Sequence, residues 1–179
     1  KKTTINQLNA KLPHFNVGVP NQNTRQFFGD IRQAKVFDDS LINIEMLGGK
    51  IYELDFEPFF QAAAMLYDGP WIAERHITIE KIIEENPAAL HPVTRKVIEN
   101  ALKFSATDTF RAQYRLQELT VQIKEILDDL DMLCVPSVPK YFTLEDLRAD
   151  PIGLNTQLGT YTNFVNLLDL CAITVPTAM

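Results

Sequence analysis

Two short apolar runs closed by prolines constrain this chain more than any other feature. Residues 16–19 (Asn-Val-Gly-Val) end at Pro20, and Asp131-Met132-Leu133-Cys134-Val135 ends at Pro136. Runs this short, bounded by residues that cannot continue a ladder, read as buried strands. Between them the apolar positions fall mostly at three- and four-residue steps, the period of a helix. Strands separated by helices need both faces of a sheet covered, so the pattern specifies an α/β protein with a buried sheet and excludes a free helical bundle.

Residues 1–15 are polar with scattered apolar positions and read as a solvated lead-in or a short helix. Residues 30–37 suit a helix. Residues 43–54 alternate in part, through Ile44, Met46, Ile51 and Leu54, and suggest a strand interrupted by Gly48-Gly49. From Glu57 the period becomes helical. Phe59, Phe60, Ala63, Ala64 and Tyr67 form one stripe that Gly69 stops, and Pro70 then opens a helix over residues 71–85 that Asn86-Pro87 closes. A third helix is expected from Pro92 to about Phe104. A long fourth one runs from a Thr107-Asp108 cap to Leu130, so the centre of the chain is largely helical. A loop-rich segment with one short helix over residues 144–149 follows. The polar run Thr160-Tyr161-Thr162-Asn163 then opens a buried helix through Phe164, Leu167 and Leu168, which is expected to lead into a strand at Ala172-Ile173-Thr174-Val175.

Composition narrows the function classes. The 179 residues are 46% hydrophobic and 22% charged, ordinary for one folded domain with a core. A net charge of −6 argues against an electrostatic grip on nucleic acid or an anionic membrane surface. Cys134 and Cys171 each lie in an apolar run and are expected to be buried free thiols, which fits a reducing, cytoplasmic setting. His14, His76 and His91 are scattered, and Asp128, Asp129 and Asp131 lack the spacing of a calcium loop. No metal or cofactor is therefore expected. Neither a signal peptide nor an apolar stretch long enough to span a bilayer occurs in the sequence, which gives a soluble protein as the expectation.

Several strings taken together are more specific. Phe15-Asn16-Val17-Gly18-Val19-Pro20 with Phe27-Phe28-Gly29-Asp30, then Tyr67-Asp68-Gly69-Pro70-Trp71-Ile72-Ala73-Glu74-Arg75, then Asp131 to Pro136, then Leu158-Gly159-Thr160-Tyr161-Thr162-Asn163-Phe164 running on to Pro176, resemble in this order the amidase signature family, and its allophanate hydrolase branch in particular. The resemblance covers nearly the whole chain. It implies part of an α/β/α sandwich around a mixed sheet. It also exposes a departure: the family carries a Gly/Ser-rich segment with two catalytic serines, and a catalytic lysine upstream of it, whereas Ser40, Ser105 and Ser137 are the serines here and none adjoins a glycine. Residues 1–179 are accordingly expected to be a partial amidase domain, with no catalytic residue of its own and with both the upstream Ser/Ser/Lys segment and the downstream end of the core outside it.

In that branch a tyrosine and an arginine eight residues apart, flanking a Gly-Pro helix start, recognise the carboxylate end of the substrate. The resemblance thus implies this role for Tyr67 and Arg75. Chemistry agrees, because a guanidinium offers a planar fork to a carboxylate and a phenol adds a donor. The competing reading keeps Arg75 over the Trp71 indole as a solvated cation–π contact and Tyr67 in the apolar stripe. Thr160, Tyr161, Thr162 and Asn163 either line the same site or serve as helix caps. Hydrolysis of the terminal amide of allophanate, releasing ammonia during urea or triazine nitrogen use, is the implied activity. A small carboxylated amide is the implied substrate, and a homodimer the expected assembly. The alternatives are another amidase signature enzyme, such as a general amidase or a transamidosome subunit, and a noncatalytic helical interaction module.

Overall fold

The computed structural model describes residues 14–177; the lead-in expected over residues 1–13 lies outside them. The central strand is β1 (Phe15–Pro20), and helix α1 (Ile31–Met46) carries the chain to the parallel strand β2 (Gly49–Leu54). Helices α2 (Glu57–Asp68), α3 (Ile72–Glu85), α4 (Pro92–Glu99) and α5 (Ala106–Leu127) then bring it across to the other side of β1. There β3 (Met132–Leu133) pairs in parallel. The strand order is β2-β1-β3, and all pairing among the described residues is parallel, where a mixed sheet is expected of the complete sandwich. Three short helices follow: α6 (Leu144–Ala149), α7 (Gly153–Leu158) and α8 (Asn163–Leu167).

Alternation along β1 sorts the core into two layers. Val17 and Val19 face α1 and pack with its Phe37, joined by Phe15, Leu41, Ile44 and Ile51. On the opposite face Leu54 and Leu133 lie against a larger cluster, built from Phe56, Phe59, Ala62 and Ala63 at the start of α2, Leu119 and Ile123 of α5, and Tyr161, Phe164 and Leu168 around α8. The sheet is therefore covered on both faces, as its short apolar strands require. Gly18 makes the close packing possible. A Cβ there would stand 2.6 Å from Leu54, 2.7 Å from Leu130 and 2.8 Å from Leu133.

Several expectations are corrected. Residues 43–46 continue α1, because Phe37, Leu41 and Ile44 keep helical spacing into the core; the break comes at Gly48, whose φ of 97° reverses the chain before β2. The third central helix is shorter than its pattern: α4 stops at Glu99, and a 3-10 turn over Asn100–Lys103 completes the stretch. Ser105, two residues before the expected cap, starts α5, its hydroxyl accepting from the Asp108 N–H while the Asp108 carboxylate accepts from the Ser105 N–H at 2.9 Å. The Ser105 hydroxyl beside it holds the Asp108 carboxyl below its ordinary range. Helix α7 gave no signal in the sequence. The chain after α8 forms no strand among the described residues. Ile173 there is 88% and Val175 61% exposed, and Thr174 meets Ser137 at 3.4 Å, because no neighbouring strand offers that segment a ladder. Cys171 is exposed for the same reason, while Cys134 is half-buried and burial pushes its thiol up.

The Gly18 contact generates a test. Gly18→Ala forces three leucine methyls apart at the centre of the sheet, and a loss of about 1–3 kcal/mol of unfolding free energy is expected by chemical denaturation. Wild-type stability in the variant would show that the leucines repack without strain.

Candidate functional site

The end of α2 and the start of α3 form one corner. Tyr67 is in the last turn of α2. The Gly69 N–H closes that helix onto the Met65 carbonyl at 3.1 Å, and Pro70 leads into the first turn of α3. A Cβ on Gly69 would lie 2.5 Å from the Met65 carbonyl oxygen, so the corner accepts no larger residue without opening. This sharp reversal turns Tyr67 and Arg75 toward each other. The Arg75 guanidinium lies over the Tyr67 ring, 4.7 Å from its centroid, and both side chains are half-buried. The pairing across the corner replaces the stacking on Trp71 that the four-residue spacing suggested. None of the ion pairs among the described residues involves Arg75. A guanidinium that sits over an aromatic ring and makes no ion pair retains N–H donors for an anion.

A shallow groove of about 330 Å³ opens on this corner between Ala64, Met65, Asp68, Gly69 and Pro70 on one side and Phe104, Asp108, Arg111 and Ala112 on the other. Its floor is apolar and its charges are mixed.

The second group of sequence candidates lies elsewhere. Tyr161 is fully buried, with its ring edge-on to Phe60 at 5.7 Å and to Phe56 at 6.3 Å near the first turn of α2. Tyr67 is seven residues beyond Phe60 on that helix, about 10 Å of helical rise. The phenol oxygen of Tyr161 accepts from the Gln26 N–H at 2.6 Å and its hydroxyl donates to the Gln26 carbonyl at 3.2 Å. Thr160 donates to the Gln157 carbonyl at 2.8 Å, and Thr162 reaches the Gly159 carbonyl at 3.5 Å. Asn163 is half-buried and packs its amide against Gly159. These contacts close the α7–α8 turn. The four residues and the Tyr67–Arg75 pair thus occupy opposite ends of α2.

Two residues with defined roles were absent from the sequence candidates. Arg25, whose side chain is 8% exposed, pairs with Asp38 at 2.7 Å, donates to the Pro20 carbonyl at 3.2 Å and lies over the Phe37 ring. Lys140 donates to the Phe28 carbonyl at 3.1 Å. Both lie in loops without periodicity, where sequence pattern carries no signal. Among the described residues no group of His, Cys, Asp or Glu is arranged to hold a metal ion, and no helix is long and apolar enough to cross a membrane. His91 caps α4, its Nδ1 accepting from the Val93 N–H at 3.3 Å.

The sequence is 36% identical over 152 residues to the urea amidolyases of Saccharomyces cerevisiae and Lachancea kluyveri, matching 84% of this chain and 8% of theirs. Among solved structures, a serine-to-alanine variant of the Kluyveromyces lactis allophanate hydrolase superposes with a TM-score of 0.87 at 33% identity, covering 93% of this chain and 27% of that one. The K. lactis urea amidolyase gives a TM-score of 0.83, covering 87% of this chain and 9% of that one. This chain is an allophanate hydrolase-related segment. It spans 8% of the length of the curated relatives. No protein-family profile matches the sequence. The similarity to allophanate hydrolases is consistent with the amidase signature resemblance of its motifs.

The buried phenol of Tyr161 makes this segment sensitive to alkali. Burial raises its pKa above the ordinary 10.0, against a smaller lowering by the Gln26 backbone. In the unfolded chain the phenol ionises first, so its contribution to stability is fully present below about pH 10 and is lost as pH rises from there toward the raised folded value. Tyr161→Phe is expected to lower stability at pH 7 by about 1–3 kcal/mol, since the Gln26 N–H loses its partner, and to flatten the decline above pH 10. Denaturation midpoints from pH 7 to 11 check both effects.

Proposed function

We propose that this segment belongs to an allophanate hydrolase and selects the substrate by its carboxylate. Arg75 would pair with that carboxylate through the edge of its guanidinium and Tyr67 would hold the guanidinium plane. The opening turn of α3 adds positive potential. The observation that carries the reading is the Tyr67–Arg75 stack itself: a cation oriented by an aromatic face, engaged in no ion pair among the described residues, in a chain 36% identical to urea amidolyases. In this reading the terminal amide C–N bond of allophanate is cleaved, water supplies the incoming oxygen and ammonia leaves, as a step of urea breakdown. The serine that attacks the carbonyl, and the second serine and lysine that relay protons, come from polypeptide outside residues 1–179. Thr160, Tyr161, Thr162 and Asn163 stand at the other end of α2, so in this reading they shape the α7–α8 turn and do not touch the substrate carboxylate.

Arg75→Gln in the complete polypeptide is the direct test. Loss of a charge-assisted contact of about 2–5 kcal/mol lowers activity on allophanate by roughly 30-fold or more, while a small uncharged amide is affected far less. Tyr67→Phe gives a milder form of the same selectivity. Equal losses on both substrates would remove Arg75 from substrate recognition.

We also propose that the protein acts in the cytoplasm as a homodimer. The two free thiols support the first. For the second, support comes from the outer face of α5, where Phe110, Tyr114 and Val121 recur at helical spacing and each is more than half exposed. Sedimentation of the complete polypeptide over a wide concentration range is expected to give twice the monomer mass. A single monomer species throughout would refute the dimer.

A further inference from the structure

We propose that residues 70–104 form a hinged cover latched by the Tyr67–Arg75 contact, and that a carboxylate held by Arg75 keeps it shut. The cover follows from the packing; only the ligand that closes it rests on the hydrolase reading above. The segment comprises α3, the turn Pro87–Ala89, α4 and the 3-10 turn Asn100–Lys103, with α3 packed against both α4 and that last turn. Ile72, Ile98 and Ala101 are its buried apolar side chains. Yet neither core cluster contains any residue from 70 to 104, so the two layers that hold the sheet are built without it.

The polar contacts of this segment are equally self-contained. Thr78 donates to the Glu74 carbonyl at 3.0 Å, Arg95 to Glu99 at 2.6 Å and Lys103 to Asn100 at 2.7 Å, and Lys81 pairs with Glu85 at 3.8 Å. Among the described residues no hydrogen bond or ion pair joins residues 70–104 to the rest, and the one aromatic contact that does so is the Arg75 guanidinium over the Tyr67 ring. Both connections are extended backbone between helices, Gly69 at a ψ of 179° on one side and Phe104 at a ψ of 135° on the other, and Pro70 has no N–H with which to continue α2. Gly69, Pro70 and Phe104 border the same shallow groove, so the two attachments lie side by side and the unit hangs from one edge. Hinge motion is absorbed by a few residues at element ends, and a unit with few contacts across its boundary moves by default. Tyr67 belongs to the fixed side and Arg75 to the moving one. A carboxylate that binds Arg75 and Tyr67 together fits only the latched form, and that differential affinity closes the cover.

The experiment uses the complete polypeptide with cysteine-independent spin labels at Glu84, near the far end of α3, and at Glu125 of α5, and reads the distance between them by electron–electron double resonance. Helix α3 is an arm of about 20 Å, so a rotation of about 15° at its hinge displaces the first label by about 5 Å. Tyr67→Ala and Arg75→Gln are each expected to raise the displaced population about 2- to 30-fold, the range that loss of a cation–π contact gives. A control pair at Glu84 and Lys103, both inside the cover, is expected to keep its wild-type distance. Malonamate, a small carboxylated amide, is expected to deplete the displaced population of the wild type, and the uncharged malonamide to leave it unchanged. One identical distance in the wild type and both variants overturns the cover, as does a control pair that loses its distance. Displacement in both variants with no response to malonamate establishes the hinge and overturns closure by a carboxylate, together with the reading on which that closure rests.

Discussion

Much of this structure depends on how the Tyr161 side chain is buried. Its ring closes an aromatic cluster in which Phe56 stacks on Phe59 at 4.4 Å and Phe164 meets Phe59 edge-on at 5.2 Å, so α2 and α8 are joined through aromatic faces. Such pairs add about 0.5–1.5 kcal/mol each beyond the area they bury. A phenol inside that cluster must still satisfy its oxygen, and it does so on the two backbone groups of Gln26. One side chain thereby links the late turn of the chain, the largest core cluster and the loop leaving the central strand. Phe or Leu in its place would fill the volume but leave the Gln26 amide without its partner.

The corner between α2 and α3 shows a different economy of interactions. Arg75 does not neutralise a neighbouring carboxylate, although the chain carries 23 acidic residues against 17 basic ones. It lies instead on Tyr67, where the ring quadrupole offsets part of its lost hydration without occupying its donors. Arg25 is the contrasting case. It is nearly buried, paired with Asp38 and bonded to a carbonyl, so its charge is committed to joining α1 to the sheet. Two arginines on aromatic rings thus differ in what remains of their hydrogen-bonding capacity, and that difference separates a candidate binding group from a structural one.

Legibility of the fold from sequence followed the strength of local signals. The strand at Val17 and Val19, the α2–α3 reversal at Gly69-Pro70 and the length of α5 were readable because apolar period and breakers agree there. Residues 43–46 misled because Ile44 and Met46 also fit an alternating pattern, and the Phe37-to-Ile44 contacts that keep them helical are tertiary. The Ser105 cap was legible in principle, since Ser105 and Asp108 stand at capping-box spacing, but Thr107-Asp108 offered a nearer competitor. Of the site, Tyr67 and Arg75 were singled out by the family resemblance, whereas spacing alone put Arg75 over Trp71 and did not reveal its contact with the Tyr67 ring. The burial of Tyr161 was not, because a polar run ahead of a helix does not reveal that one of its members points inward.

The segment over residues 171–177 illustrates what a β-prone sequence needs. Ala172-Ile173-Thr174-Val175 has the composition of a strand, yet its side chains stand in solvent and Thr174 touches the Ser137 side chain rather than a backbone ladder. Propensity for a strand is a preference for a pleated, half-buried surface, and it is realised only when a neighbour supplies the hydrogen-bond edge and the apolar face. β1 has neighbours on both sides and forms a continuous six-residue strand; β3, paired on one side, is regular for two residues. β2, also paired on one side, keeps six residues because its whole length registers with β1, whereas β3 meets β1 at two positions only. The extent of each strand therefore follows how much of β1 it can pair with, and β1 is the frame of the described sheet.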